Sequence, residues 1–209
     1  MSKTDFCYLI KRLIDITLSL LLIAITLPLF IAIAALIKLD SKGPVFFVQE
    51  RGGLKGVPFG IIKFRTMRTG AVNMDHGFEI SKDDPRITRI GRYLRSWSLD
   101  ELPQVFNVLK GEMSIVGPRP ALMQQIREYS IEDRKRLLMK PGITGLAQIN
   151  GRNLLTWEQK IDFDIKYVEN WSLLLDFKIL LKTVPVVIKG EGIYEPKQPM
   201  PPRFGGDRR

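Results

Sequence analysis

One apolar segment near the N-terminus limits what this chain can fold into. No charged residue occurs between Ile16 and Ile37, a run of about 22 residues. At about 1.5 Å of rise per residue, a straight helix of this length is long enough to cross the hydrocarbon core of a bilayer. The run is too long, and too poorly followed by a small-residue cleavage site, to be a removable signal peptide. We therefore expect a membrane segment within the 209 residues, followed by one folded unit.

A proline inside this run leaves two topologies open. Pro28 has no backbone N–H and frees the carbonyl of Ala24, so it is predicted to kink or break the helix, with the Thr26 hydroxyl close enough to bond the exposed backbone. Basic residues flank the run on both sides: Lys3, Lys11, Arg12, Lys38 and Lys42. Basic flanks prefer the cytoplasm, which favours a re-entrant segment with both ends on one side. Proline is also common in spanning helices, however, and on the residues alone we favour a single span.

The charge balance points to an acidic partner. The chain has 32 Lys and Arg against 22 Asp and Glu, a formal charge of +10. Nucleic acid, anionic lipid and a phosphorylated substrate all fit this excess, but the sequence has no zinc finger, helix-turn-helix spacing or aromatic-and-basic pattern, which disfavours nucleic acid. Cys7 and His76 are the single cysteine and histidine, so neither an internal disulfide nor a His/Cys zinc site is expected.

The remainder predicts an α+β, mainly helical domain. Residues 45–49 and 57–66 alternate apolar and polar side chains across a glycine-rich turn, which is typical of a β-hairpin. Apolar residues recur at helical spacing in residues 157–168 and again in residues 174–184. The second of these helices carries lysines on its polar side and suits either a membrane surface or the protein core. We divide the chain into a membrane-embedded helix (1–40), a catalytic domain (41–190) and an extended or disordered tail (191–209).

The stretch SLDELPQ, residues 98–104, carries two adjacent carboxylates in a basic chain. Ser98 and Glu101 have the spacing of a capping box, so a helix is predicted to begin between Ser98 and Asp100 and to end before Gly111. Capping explains only one of the two acids. A purely structural role and a catalytic role for the Asp100–Glu101 pair both remain open, because acids are common in the first helical turn. Nearby, Arg119 lies between two prolines, a rigid frame for a guanidinium that binds phosphate.

Three long motifs resemble one enzyme family. QERGGLKGVPFGIIKFRTM, RSWSLDELPQVFNVLKGEMSIVGPRP and KPGITGLAQINGRN are similar to the bacterial sugar transferases of the monotopic polyprenol-phosphate phosphoglycosyl transferase family, small single-domain type. The likeness covers the chain from about Lys11 to Lys189. NGRN followed by LLTWEQKIDFDIKY most resembles members that handle N-acetylated sugars, including N,N'-diacetylbacillosamine.

The resemblance implies a reaction and a site. Family members on the cytoplasmic face of the bacterial inner membrane move a sugar-1-phosphate from a UDP-sugar to polyprenyl (undecaprenyl) phosphate and release UMP. By this resemblance Asp100 is the nucleophile that forms a covalent phosphosugar intermediate, and Mg²⁺ is required. Glu101 is expected to coordinate the magnesium or to orient Asp100, and Asp100 is the second candidate magnesium ligand. The phosphate-binding basic residues of the family correspond to Lys63, Arg95 and Arg119.

The resemblance also bears on topology and leaves alternatives open. It implies a re-entrant membrane helix with compact membrane-surface helices, which reverses the preference for a span. The chain departs from the family at the bend, where Leu27–Pro28 replaces a frequent Ser-Pro pair. A rival interpretation is a non-catalytic, membrane-anchored module whose arginines bind anionic lipid. The sugar, the length of the prenyl chain and homo-oligomerisation stay open.

Overall fold

The computed structural model describes residues 3–71, 84–190 and 192. It confirms a mainly helical α+β fold. The elements in chain order are α1 (Lys3–Asp40), β1 (Phe46–Gly52), β2 (Pro58–Phe64), α2 (Arg89–Ser96), α3 (Gln104–Lys110), β3 (Ser114–Val116), α4 (Met123–Arg127), β4 (Gly142–Thr144), α5 (Leu146–Ile149), α6 (Trp157–Glu169) and α7 (Leu173–Lys189). Apart from Gly192, the predicted tail 191–209 lies outside the described residues.

The N-terminal apolar segment forms part of one 38-residue helix, α1. The helix assignment continues through Pro28, and a kink or membrane bend at this residue stays a prediction. The Thr26 hydroxyl donates to the Leu22 carbonyl at 2.6 Å. It therefore bonds a different carbonyl from that of Ala24, the one that Pro28 leaves without its helical donor.

Helix α1 is long and apolar enough to cross a membrane, and both of its ends contact the same folded unit. Near its start, the Lys11 ammonium donates to Asp176 at 2.6 Å and to the Val116 carbonyl at 2.9 Å. At its end, Asp40 accepts from the backbone N–H of Ile90 at 3.0 Å. Beside this second contact lies a buried apolar cluster from α1, β2 and α2: Ile33, Ile37, Phe64 and Leu94.

The predicted β-hairpin is confirmed and is fixed to α3 by one buried side chain. Strands β1 and β2 pair antiparallel, with Phe47 opposite Lys63. The Asn107 carboxamide of α3 accepts from the Ile62 N–H at 3.0 Å and donates to the Gly60 carbonyl at 2.7 Å. Because the carboxamide satisfies two backbone groups of β2, it fixes the strand, and with it Lys63, against the start of α3.

The two sides of helix α7 have different environments. The helix begins after Ser172, whose hydroxyl accepts from the Leu175 N–H, and ends at Gly190 in the left-handed conformation. Asp176 and Ile179 are buried against the domain. The opposite side is an exposed apolar face: Leu174, Phe177, Leu181, Val184 and Ile188. The helix thus packs on the core with one side, as one alternative predicted, and its other side presents an exposed apolar surface within the described part of the chain.

Candidate active site

Asp100 and Glu101 lie in a short 3-10 turn, Leu99–Glu101, between α2 and α3. Helix α3 begins only at Gln104, so the predicted helix start at Ser98–Asp100 is too early. The predicted capping box is also wrong, because Ser98 has a φ of 54° and its side chain caps nothing. Its hydroxyl instead accepts from Arg152 at 2.7 Å. A positive φ is uncommon for a residue other than glycine, and such strained positions cluster at functional sites.

Glu101 is held as a charged carboxylate by two basic residues. Its Oε1 atom accepts from Lys63 Nζ at 2.8 Å and from Arg119 Nη2 at 2.8 Å. Burial opposes the charge, but the positive charges of Arg119 and Lys63 outweigh it and keep the pKa of Glu101 well below its ordinary value. The carboxylate therefore fixes both cations beside Asp100.

Asp100 has the opposite environment. Within the part of the chain that the structure describes, its carboxylate accepts no hydrogen bond and interacts with its neighbours through charge alone. Burial, followed by the charge of Glu101, raises the pKa of Asp100 to about 6, although Lys63, Arg95 and Arg119 act against this rise. The pKa is thus higher than the ordinary value of an aspartate side chain. At neutral pH the group is still mostly ionised, and its oxygens are available to react.

All three predicted basic residues lie near this carboxylate. Lys63 comes from β2, Arg95 from the last turn of α2, and Arg119 from the turn after β3. Each lowers the pKa of Asp100 through its charge. Arg95 Nε donates to Thr66 Oγ1 at 2.9 Å, which fixes the direction of this guanidinium.

Two further arginines belong to the site and were not among the predicted site residues. Arg152 donates to Ser98, and its charge interacts with both carboxylates. Arg51, near the end of β1, is partly buried, and this burial, followed by the like charge of Arg119, lowers its pKa to about 10. The sequence contained one indication of a role for Arg152, because it is the single charged residue between Pro141 and Asn153.

A buried ion pair supports the turn that carries Arg119. Arg136 Nη2 donates to the Arg119 carbonyl at 2.9 Å and pairs with Asp164 of α6. The same guanidinium donates to the Tyr129 hydroxyl. The Arg136 and Asp164 side chains are 2% and 1% exposed, so the pair lies in the core beneath the site. Neither residue was predicted from the sequence.

The donor groups at the site limit how a metal could bind. Among the described residues there is no group of three or more His, Cys, Asp or Glu side chains that could hold a metal ion. Glu101 already accepts from Lys63 and Arg119, which leaves Asp100 as the one free carboxylate of the pair. Magnesium typically takes one or two carboxylates together with water and substrate phosphate oxygens. The residues present therefore fit an ion shared with a bound diphosphate.

This arrangement is suited to nucleophilic attack on a phosphoryl group. A carboxylate without hydrogen-bond partners retains its nucleophilic lone pairs, and the surrounding cations reduce its repulsion from an anionic substrate. A purely capping role is not supported for Asp100, since its turn is not the first turn of α3.

Comparison with known proteins identifies the family. The family model described as bacterial sugar transferase matches residues 6–190. The uncharacterized sugar transferase EpsL of Bacillus subtilis is 45% identical, with 95% of this chain and 96% of EpsL covered. A UDP-glucose:undecaprenyl-phosphate glucose-1-phosphate transferase of Caulobacter vibrioides is 43% identical over 88% of this chain and 72% of its own length. The undecaprenyl-phosphate glucose phosphotransferase of Komagataeibacter xylinus is 46% identical over 83% of this chain and 35% of its own length. The chain belongs to the bacterial sugar transferase family.

Proposed function

We propose that this protein transfers a sugar-1-phosphate from a UDP-sugar to polyprenyl phosphate, with undecaprenyl phosphate as the natural acceptor. The observation that carries the proposal is the Asp100 carboxylate, which has no hydrogen-bond partner among the described residues and stands beside Glu101 and its two bound cations. The names of two relatives supply the substrates, UDP-glucose and undecaprenyl phosphate. The motif resemblance favours an N-acetylated sugar. The proposal is also compatible with a homo-oligomer.

The reaction proceeds in two displacements at phosphorus. An Asp100 oxygen attacks the phosphorus that bears the sugar, the bond to the bridging oxygen breaks, and UMP leaves. A phosphate oxygen of the acceptor then attacks the same phosphorus, which breaks the bond to Asp100 and yields a polyprenyl diphosphosugar with a free carboxylate. Lys63, Arg95 and Arg119 reduce the anion–anion repulsion that opposes both steps.

Glu101 and magnesium have supporting roles in this proposal. Glu101 fixes Lys63 and Arg119 by direct contacts, which orients the cations around Asp100. Asp100 is the carboxylate best placed to hold magnesium. Glu101 would serve as a second ligand through Oε2, whose contact with Arg119 Nη1 is long at 3.4 Å, whereas its Oε1 accepts from both cations at 2.8 Å. The ion, when bound, neutralises charge on the phosphate oxygens.

The reaction is tested by incubating the purified protein with UDP-sugars in the absence of any lipid. We expect release of about one equivalent of UMP per enzyme, because a covalent intermediate accumulates when the acceptor is missing. Mass spectrometry of the tryptic peptide 96–110 should show a phosphosugar adduct. A non-catalytic lipid-binding module would release no UMP with any sugar nucleotide, and UMP release without an adduct would contradict the covalent mechanism.

We further propose that α1 enters the cytoplasmic face of the bacterial inner membrane and returns to the same face. Its two ends contact the same folded unit through Lys11 and Asp40, which supports this topology. The exposed apolar face of α7 would then lie on the same membrane surface.

Cysteine labelling in intact cells tests this topology. In a Cys7→Ser background, single cysteines at Leu13 and Leu39, which are 56% and 85% exposed, flank the apolar run. We expect an impermeant reagent to label neither position in intact cells and both positions after permeabilisation. A cysteine at one position that is labelled from outside, with the other protected, would establish a span instead.

A further inference from the structure

A cavity of about 240 Å³ adjoins the carboxylate pair. Its polar side is formed by Glu101, Arg119 and Arg152. Much of the remaining wall is apolar and comes from α1, α3, α5, α7 and the turn before α3: Leu22, Leu99, Val105, Ile149, Val186 and Val187. The cavity therefore combines a cationic end at the reacting groups with an apolar lining that the two displacements do not use.

We propose that this cavity holds the first isoprene units of the lipid acceptor, with the acceptor phosphate at Arg119 and Arg152. This assignment rests on the proposed function and adds to it the path of the chain. Charge and polarity both match: an isoprenoid phosphate has one anionic end and an otherwise apolar body, as the cavity has one cationic end and an otherwise mainly apolar wall.

The position of the cavity favours a lipid over a nucleotide. Leu22 lies within the charge-free part of α1, the part proposed to enter the membrane. Val186 and Val187 line the cavity from α7, and their neighbours Val184 and Ile188 belong to the exposed apolar face of the same helix, at 58% and 66% exposure. A chain could therefore pass from the bilayer into the cavity along apolar surface without entering water.

Two polar residues of the wall are consistent with this assignment. Thr183 donates to the Ile179 carbonyl at 2.8 Å and is hydrogen-bonded to Thr144, so its hydroxyl is already satisfied inside the protein. Gln148 is 8% exposed, and neither atom of its amide has a partner among the described residues. Its Oε1 lies beside Gly145, which packs against Gly117. This places the amide near the turn that carries Arg119, where its N–H groups would find an acceptor in a bound phosphate.

The test fills the cavity from α7 and uses an exposed apolar residue outside the cavity wall as a control. Val187→Trp places an indole in the cavity, whereas Ile131→Trp places it on a surface that lies outside the cavity wall, at a residue that is 92% exposed. UMP release without lipid and consumption of the phosphosugar-enzyme by polyprenyl phosphate are measured separately. For Val187→Trp we expect unchanged UMP release and a kcat/KM for the lipid lowered at least about 10-fold, since even one misfitting methylene in a hydrophobic pocket has an effect of about this size. For Ile131→Trp both steps should match the wild type.

Two results would overturn the assignment. If Val187→Trp is folded by thermal unfolding and keeps the wild-type lipid step, the chain does not occupy the cavity. If it instead raises the UDP-sugar concentration needed for UMP release, the cavity serves the nucleotide. Should Val187→Trp fail to fold, wild-type enzyme is compared with geranyl phosphate and methyl phosphate as acceptors. The kcat/KM for geranyl phosphate should be at least about 10-fold higher than that for methyl phosphate, and equal values would overturn the assignment. Absence of UMP release from the wild type would contradict the proposed function instead.

Discussion

Replacing Asp100 by asparagine is expected to lower UMP release in the absence of lipid by at least about 1,000-fold, since the nucleophile of a covalent mechanism is lost. An amide has nearly the same shape as the carboxylate but cannot form the acyl phosphate that links Asp100 to the sugar phosphate. The phosphosugar adduct on peptide 96–110 should disappear as well. Asp162→Asn is a matched control, because Asp162 is an exposed acid on α6. Full turnover by Asp100→Asn would contradict the assignment of the nucleophile.

Loss of folding is not expected to explain this result, because the substitution removes an unfavourable, partly buried charge. The pKa of Asp100 is raised from 3.8 to about 6 in the folded protein, chiefly by burial. A raised folded-state pKa means that ionisation destabilises the fold, by an amount that is absent below about pH 4 and grows to its full size above about pH 6. In magnesium-free buffer, Asp100→Asn should therefore exceed the wild type in stability by about 1 to 3 kcal/mol at pH 7 and by little at pH 4. A variant that is less stable at pH 7 would contradict this account.

The elements that follow from local periodicity were predictable, and the geometry of the carboxylate turn was not. The hairpin and helices α6 and α7 follow patterns that a short window of sequence contains. Ser98 matched a capping box, but its hydroxyl binds Arg152, which is 54 positions away in the sequence. A distant partner thus overrode the local preference of SLDELPQ, and no short-range pattern could have indicated it.

Helix α1 likewise could be predicted only in part from local sequence. Its charge-free run indicated a membrane segment, but two charged residues just before the run, Lys11 and Asp15, are buried against the domain. Lys11 bonds Asp176, and Asp15 accepts from the Ser114 hydroxyl at 3.0 Å and from the Ile115 N–H at 2.9 Å. These partners lie about 100 or more positions away, so only the folded chain reveals that α1 is fixed to the domain by buried polar contacts. The three basic site residues were identified by resemblance to a family, whereas Arg51, Arg136 and Asp164 required the structure.

Asp164→Ala is expected to lower the free energy of unfolding by about 3 to 5 kcal/mol, because it leaves the charge of Arg136 buried without a counter-ion. The side chains of both residues are almost fully buried. The exposed neighbour Asp162→Ala on the same helix should stay within about 0.5 kcal/mol of the wild type. Urea unfolding in detergent measures both values. A loss of less than about 1 kcal/mol for Asp164→Ala would mean that the Arg136–Asp164 pair does not stabilise the fold.

A double substitution separates the structural role of this pair from its role at the site. Burial raises the pKa of Asp164 to about 6 even though Arg136 stabilises the charge, so the pair carries a large desolvation cost. Arg136→Met combined with Asp164→Leu removes both charges and should recover most of the stability lost by Asp164→Ala. The Arg119 carbonyl then still lacks the donor that Arg136 supplies at 2.9 Å. UMP release should stay reduced about 10- to 100-fold through misplacement of the Arg119 guanidinium. A double variant with wild-type activity would show that Arg136 does not position Arg119.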